Sequence, residues 1–130
     1  MKHAFPELKK TKGSVVNLSS GAGLFGKPGQ SSYAAAKEGI RGMTRVAATE
    51  WGPDGVRANV ICPLAMTEQL AAWKEEYPDT FAATIKGIPL GRFGDPKTDI
   101  APVAVFLASD MASYVSGETI TIQGGSGLRP

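Results

Sequence analysis

The stretch from Ser20 to Lys37 reads SGAGLFGKPGQSSYAAAK and organises the interpretation of the whole chain. It follows the apolar run SVVNL and places Tyr33 thirteen residues after Ser20, with Lys37 four residues later. In a helix, a spacing of four residues puts two side chains on the same face, one turn apart. The stretch therefore predicts a strand, a glycine-rich segment and a helix that carries Tyr33 and Lys37 together.

These three residue types favour a particular chemistry. A tyrosine phenol has a pKa of about 10 in model peptides, so alone it is a weak acid–base catalyst near neutrality. A fixed ammonium close to such a phenol favours the phenolate and lowers that pKa. The hydroxyl of Ser20 could polarise a substrate carbonyl while the phenol of Tyr33 gives or takes a proton. The set predicts ketone–alcohol interconversion with a hydride carrier, although a Tyr–Lys pair at this spacing is in isolation more often an ordinary helix face.

The rest of the chain predicts an α/β fold with the order β-α-β-α-β. Three apolar or alternating runs predict parallel strands at Ser14–Leu18, Val56–Cys62 and Glu118–Gln123. Residues 2–11 predict the tail of a helix with Pro6 in its first turn, ended by Gly13. Further helices are predicted at Ser32–Trp51, with Ser32 as its cap, and at residues 96–108 after an Asp95 cap, with a kink at Pro102.

Two segments between these elements are predicted to be irregular. Residues 21–31 contain Gly21, Gly23 and Gly26 at the spacing G-x-G-x-x-G. However, KPGQ follows them instead of a helix, and no acidic residue stands at the expected later position, so we predict a substrate-side loop and not a phosphate-binding turn.

The second segment, Pro63–Leu90, is predicted to cover a substrate. Trp73, Tyr77 and Phe81 are spaced four residues apart and would form one aromatic face of a helix, which Pro78 would break. Such a face could contact a partly apolar substrate or pack against the body of the protein.

Composition excludes several classes of protein. The chain has 130 residues, 42% hydrophobic and 20% charged, with a net charge of +2 that favours neither nucleic acid nor a membrane surface. No apolar run approaches the length of about 18 residues needed to span a bilayer, and MKHAFPELKK lacks the apolar core of a secretory signal. One cysteine and one histidine exclude an internal disulfide and do not predict a metal site. We expect a cytoplasmic protein.

Five motifs occur in one order: VVNLSS, SYAAAK, VRANVICP, GRFGDP and SYVSGETITIQGG. Together they resemble the C-terminal, catalytic half of the classical short-chain dehydrogenase/reductase family, over nearly the whole chain. The resemblance implies the C-terminal portion of a Rossmann-like, doubly wound parallel sheet. It also implies that residues 1–130 are a partial domain whose N-terminal dinucleotide-binding half is absent.

The resemblance assigns roles to individual residues. Ser20 would hydrogen-bond the substrate oxygen, Tyr33 would be the general acid–base, and Lys37 would assist Tyr33 and bind the nicotinamide ribose hydroxyls. Ser19 would be structural, and Asn17 would bond nearby backbone.

Pro63 and Thr67 would help to hold the nicotinamide amide. Here the chain departs from the family, because Leu64 replaces the usual glycine after Pro63 and Thr67 stands one position nearer than usual. The implied cofactor is NAD or NADP, the implied substrate is a small carbonyl or alcohol, and the helix Ser32–Trp51 is implied to mediate a homo-oligomer.

Other readings remain open at this stage. The chain could be a truncated, non-catalytic relative that serves as an interaction or split-partner module. Epimerase and dehydratase relatives share the Tyr–Lys spacing, but they carry a large substrate domain beyond this point. A serine hydrolase is disfavoured for two reasons. His3 is the only histidine and precedes the serine, and the sequence contains no Gly-x-Ser-x-Gly elbow.

Overall fold

The computed structural model describes residues 1–127 and has one three-stranded sheet flanked by helices. The strands are β1 (Ser14–Leu18), β2 (Arg57–Pro63) and β3 (Thr119–Ile122). The α-helices are α1 (Phe5–Thr11), α2 (Gly21–Phe25), α3 (Ser31–Trp51), α4 (Glu68–Glu76), α5 (Pro78–Lys86) and α6 (Ala101–Ala108). Short 3-10 helices lie at Lys2–Ala4, Gly52–Asp54 and Asp110–Ala112.

The sheet is parallel and open, with β2 between β1 and β3. Val16 pairs with Asn59, and Ile61 pairs with Ile120. The central strand is buried from Ala58 to Cys62 because it has a neighbour on each edge and helices cover it. The predicted α/β class, strand order along the chain and parallel pairing are confirmed, and all carboxyl ends of the strands meet at one edge.

The helix before β1 has Pro6 in its first turn, as predicted, but Gly13 is not the residue that ends it. Pro6 lies in the first turn of α1, where its missing N–H costs no helical hydrogen bond. The left-handed residue that ends the helix is Lys12, with φ of 51°, and Gly13 follows it.

The prediction that Ser32 caps the long helix is wrong. The first intrahelical bond of α3 runs from the N–H of Ala34 to the carbonyl of Gln30, at 2.7 Å, so the helix begins at Ser31 and Gln30 is the cap. The helix starts one residue earlier than expected, and Tyr33 lies in its first turn.

The glycine-rich segment is also more ordered than predicted. Residues 21–25 form α2, which Ser20 caps and Gly26 ends with φ of 66°. A Cβ at Gly21 would collide with the side chain of Gln123 at the end of β3, so a glycine is required there for close packing. The loop prediction failed because this contact joins residues about a hundred positions apart.

Residues 63–90 were predicted to be irregular, and this prediction is wrong. They contain α4 and α5, which separate at Tyr77 and Pro78, so the predicted break at Pro78 is confirmed. Most of the aromatic face packs internally: the Phe81 ring lies 5.8 Å from that of Trp73 and 5.5 Å from that of Phe93, whereas Tyr77 is half exposed.

The predicted helix 96–108 has two parts. Asp95 caps it by accepting the N–H groups of Lys97 and Thr98, and residues Pro96–Ile100 form a π-helical turn that leads into α6. Pro102 is the second residue of α6 and has no N–H to donate. The helical hydrogen bonds take the wider, π-helical spacing in the turn that ends at Ile100. Ile100 and Leu107 are buried with Ile61 in the main apolar cluster.

Within residues 1–127, no helix is both long and apolar enough to cross a membrane.

Candidate active site

Two adjacent serines follow β1, and they have different surroundings. Ser19 is buried, and its Oγ donates to the main-chain carbonyl of Lys37 at 2.8 Å. Ser20 is half-buried and caps α2, with its Oγ accepting the N–H of Ala22 at 3.2 Å. A hydroxyl that accepts through a lone pair keeps its O–H as a donor, so Ser20 retains a proton to offer.

Tyr33 and Lys37 lie one turn apart near the end of β1. The Lys37 Nζ donates to the carbonyl of Leu18 at 3.3 Å and lies 5.6 Å from the centroid of the Tyr33 ring. Tyr33 is 46% exposed, so its phenol is open to solvent and to a ligand. The ammonium is therefore close both to the carboxyl end of β1 and to the ring of Tyr33.

Asn17 does not bond backbone as expected. Its Nδ2 donates to Oγ1 of Thr44 at 2.8 Å, and Thr44 Oγ1 in turn donates to the carbonyl of Ile40. Thr44 is fully buried on α3, so this pair fastens the helix to β1. The expectation failed because it could not include a partner on the facing helix.

Pro63 and Thr67 lie at the same edge of the sheet as Ser20, after the neighbouring strand. Pro63 ends β2 opposite Ile122 of β3. Thr67 caps α4 by accepting the N–H of Leu70 at 3.2 Å, so its hydroxyl still has a proton to donate. The backbone between them is fixed, because Ala65 forms a parallel bridge with Gly94.

Sequence reasoning missed an ion pair beside this edge. Arg92 and Asp99 form a two-pronged pair with N–O distances of 2.5 and 3.1 Å, and Asp99 also accepts the N–H of Asp95 at 2.6 Å. These bonds, first that from Arg92, lower the pKa of Asp99 from 3.8 to about 2. The sequence predicted the Asp95 cap, but the pairing of Arg92 with Asp99 depends on the π-helical turn that follows this cap.

A cavity of about 170 Å³ opens next to this ion pair, at the carboxyl ends of β2 and β3. In open α/β sheets, ligands bind outside this edge. Its lining is formed by Leu64, Leu90, Arg92, Gly94, Asp99, Ile122 and Gly124.

The site thus has a hydroxyl donor, a phenol and an ammonium at the carboxyl edge of a parallel sheet. Such a set can hold a carbonyl oxygen, exchange one proton with it and stabilise the phenolate. Hydride transfer would require a bound carrier.

Comparison with known proteins identifies the family of this chain. The family model described as enoyl-(acyl carrier protein) reductase matches residues 1–127. A 12alpha-hydroxysteroid dehydrogenase of Clostridium sp. is 58% identical over 130 residues, which are 100% of this chain and 50% of that protein. A 3-oxoacyl-(acyl-carrier-protein) reductase of Thermotoga maritima is 43% identical over 91% of this chain and 47% of its own length.

Solved structures with the same fold are also similar in sequence. The crystal structure of Cj0485 dehydrogenase superposes with a TM-score of 0.92 at 35% identity, over 98% of this chain and 51% of that one. A protein of Beutenbergia cavernae, solved with bound NADP, superposes with a TM-score of 0.83 at 34% identity, over 92% of this chain and 48% of its own. The chain spans about half the length of the curated relatives it matches. It belongs to the short-chain dehydrogenase/reductase family of oxidoreductases.

Proposed function

We propose that this chain is the catalytic half of an NAD(P)-dependent oxidoreductase that interconverts a carbonyl and a secondary alcohol. The observation that carries the proposal is the position of Lys37. Its ammonium is bonded to the Leu18 carbonyl at the strand end that precedes Ser20, and it lies 5.6 Å from the centroid of the Tyr33 ring.

In the direction of reduction, Ser20 donates its O–H to the substrate carbonyl oxygen and orients it. Tyr33 then gives its phenolic proton to that oxygen as the alcohol forms, and in oxidation it takes the proton back. Lys37 stabilises the negative charge left on the phenol oxygen through its adjacent ammonium.

The residues also fit a nicotinamide cofactor. Lys37 spends one of its three N–H donors on Leu18, so donors remain for the ribose hydroxyls. Thr67 and the backbone after Pro63 would hold the nicotinamide amide. When bound, NAD(P) supplies or accepts the hydride. We further propose that the dinucleotide phosphates are held by residues outside this chain, in the complementary half of the domain.

For the substrate, we propose an alcohol or ketone on an apolar ring system, with a 12α-hydroxysteroid as the first compound to test. The 58% identity to a 12alpha-hydroxysteroid dehydrogenase over the full chain supports this choice. The segment from β2 through α5 is also apolar. Its buried cluster of Phe81, Ile88 and Phe93 is surrounded by half-buried apolar side chains: Leu64, Met66, Leu70, Trp73 and Ile85.

We also propose that α3 mediates a homo-oligomer. Its side chains at Met43 and Val46 are half exposed, and they line an apolar groove of about 400 Å³ next to the stacked rings of Phe5 and Trp51. Apolar surface of this kind is typical of contacts between subunits.

The test is oxidation of a 12α-hydroxysteroid by the natural gene product, followed by the absorbance of NADH or NADPH. Tyr33→Phe should lower turnover at least about 100-fold, whereas Tyr114→Phe, at a fully exposed tyrosine, should leave it unchanged. Turnover that survives Tyr33→Phe would refute the assigned mechanism. A natural protein that binds neither dinucleotide and oxidises no secondary alcohol would favour the non-catalytic alternative.

A further inference from the structure

An ion pair within α3, between Glu38 and Arg41, lies next to α2, the helix that Ser20 caps. Arg41 Nη1 donates to both carboxylate oxygens of Glu38, at 2.7 and 2.9 Å. The Arg41 side chain is 13% exposed, and its Nε reaches Thr119 Oγ1 of β3 at 3.4 Å. Arg41, which also contacts β3, therefore fixes the position of the Glu38 carboxylate. In the chain, Glu38 directly follows Lys37.

The side chain of Glu38 is also the surface on which α2 rests. A Cβ at Gly23 would lie 2.6 Å from Glu38 Oε1 and 2.9 Å from its Cγ, so α2 approaches this side chain as closely as a glycine permits. Because Ser20 is the cap of α2, the contact at Gly23 lies one turn from the serine hydroxyl.

We propose that Glu38 is a positioning residue, held by Arg41, that fixes the distance between Ser20 and Tyr33. Tyr33 and Glu38 share α3, so their spacing is rigid, whereas α2 has only five residues and little stability of its own. The contact with the Glu38 side chain stabilises α2 in its position. The effect of this contact on turnover rests on the proposed function, whereas the contact itself does not.

The docking itself is tested by amide hydrogen exchange in the natural gene product, with no substrate present. The amides of Gly26 and Lys27 both donate to the Ala22 carbonyl, and they report whether α2 is closed. Glu38→Ala should accelerate their exchange about tenfold. The matched control is Glu7→Ala, which removes another i,i+3 pair, Glu7–Lys10 on α1, and should leave these amides unchanged. Unchanged exchange in Glu38→Ala would overturn the proposal.

The consequence for turnover is tested by a double-mutant cycle with the 12α-hydroxysteroid as substrate. Glu38→Ala should lower kcat about tenfold and leave the Kd for NADH and NADPH unchanged. In a Ser20→Ala background, Glu38→Ala should lower kcat no further, because its effect on turnover acts through the position of Ser20. Glu38→Gln keeps the length of the side chain and one acceptor oxygen, and should recover most of the rate.

The outcomes separate the two proposals. If the two kcat losses multiply, or if cofactor affinity falls with kcat, Glu38 acts through general stability and the positioning role is wrong. If the unmodified protein turns over no alcohol, the proposed function fails, and the exchange rates of Gly26 and Lys27 alone decide whether Glu38 docks α2.

Discussion

The Lys37 ammonium lies 3.3 Å from the carbonyl oxygen of Leu18, the last residue of β1, and the Lys37 carbonyl accepts the hydroxyl of Ser19 at 2.8 Å. One residue of α3 thus makes two bonds to the end of β1, one from its side chain and one from its backbone. This double contact sets the helix face that carries Tyr33 against the strand end that presents Ser20.

We predict that Lys37 and Tyr33 can be separated kinetically. Tyr33→Phe removes only the phenolic proton, so we expect kcat to fall by about 10²–10⁴-fold while the Kd for the dinucleotide stays nearly constant. Lys37→Ala removes both a ribose donor and the ammonium beside the ring, so kcat and cofactor affinity should fall together. Fluorescence titration with NADH and NADPH measures the affinity. Equal loss of affinity in both variants would contradict the separate roles.

The two serines should respond in opposite ways to substitution. Ser19→Ala removes a buried hydrogen bond to the Lys37 carbonyl and should lower the free energy of unfolding by about 1 kcal/mol, with turnover largely kept. Ser20→Ala also removes a helix cap, at a cost of about 1 kcal/mol, but turnover should fall by far more than the stability change explains. Urea unfolding and steady-state kinetics on both variants provide the comparison. A larger loss of turnover in Ser19→Ala would reverse the assignment.

Much of this arrangement could be predicted from local patterns. The apolar run at residues 14–18 coincides with β1, and the runs at 56–62 and 118–123 lie within one residue of β2 and β3 at each end. The run that became β2 is the clearest, because this strand lies between two neighbours and its side chains from Ala58 to Cys62 are buried, whereas β1 and β3 are edge strands and mostly half-buried. The spacing of Tyr33 and Lys37 likewise follows from helical geometry alone, whereas their catalytic role remains a proposal.

What could not be predicted depends on contacts between distant residues. The helix α2 forms in a stretch rich in glycine because Gly21 packs against Gln123 and Gly23 packs against Glu38. Asn17 bonds Thr44 on another element, and no local pattern indicates that partner. Each of these partners can be identified only once the positions of the strands and helices are known.

The aromatic cluster under α4 and α5 should be essential to that segment. Phe81→Ala removes a buried ring that contacts Trp73 and Phe93, and the cavity should cost about 3–5 kcal/mol of unfolding free energy. Tyr77→Ala replaces the half-exposed aromatic residue four positions earlier, and should lower the free energy of unfolding much less. Denaturant unfolding of the two variants measures the difference, and similar costs would show that the cluster is not the core of this segment.

The Arg92–Asp99 pair should make stability depend on pH in the acid range. The folded state lowers the pKa of Asp99 from 3.8 to about 2, chiefly through the bond from Arg92 and then that from the Asp95 amide. A carboxylate whose pKa is depressed by folding stabilises the protein above its unfolded pKa, and this contribution is lost as pH falls toward the folded pKa. The contribution should therefore be complete at pH 7 and disappear between about pH 5 and pH 2.

Asp99→Asn tests this directly, because the amide cannot titrate and cannot pair with Arg92 as an ion. We expect the variant to unfold at lower urea concentration than the unmodified protein at pH 7, with the two curves converging near pH 2. The control is Glu75→Gln, at an exposed acidic residue of α4, which should leave the pH dependence in this window nearly unchanged. A constant difference between the Asp99→Asn variant and the unmodified protein from pH 7 to pH 2 would mean that Asp99 contributes through its shape and hydrogen bonds and not through its charge.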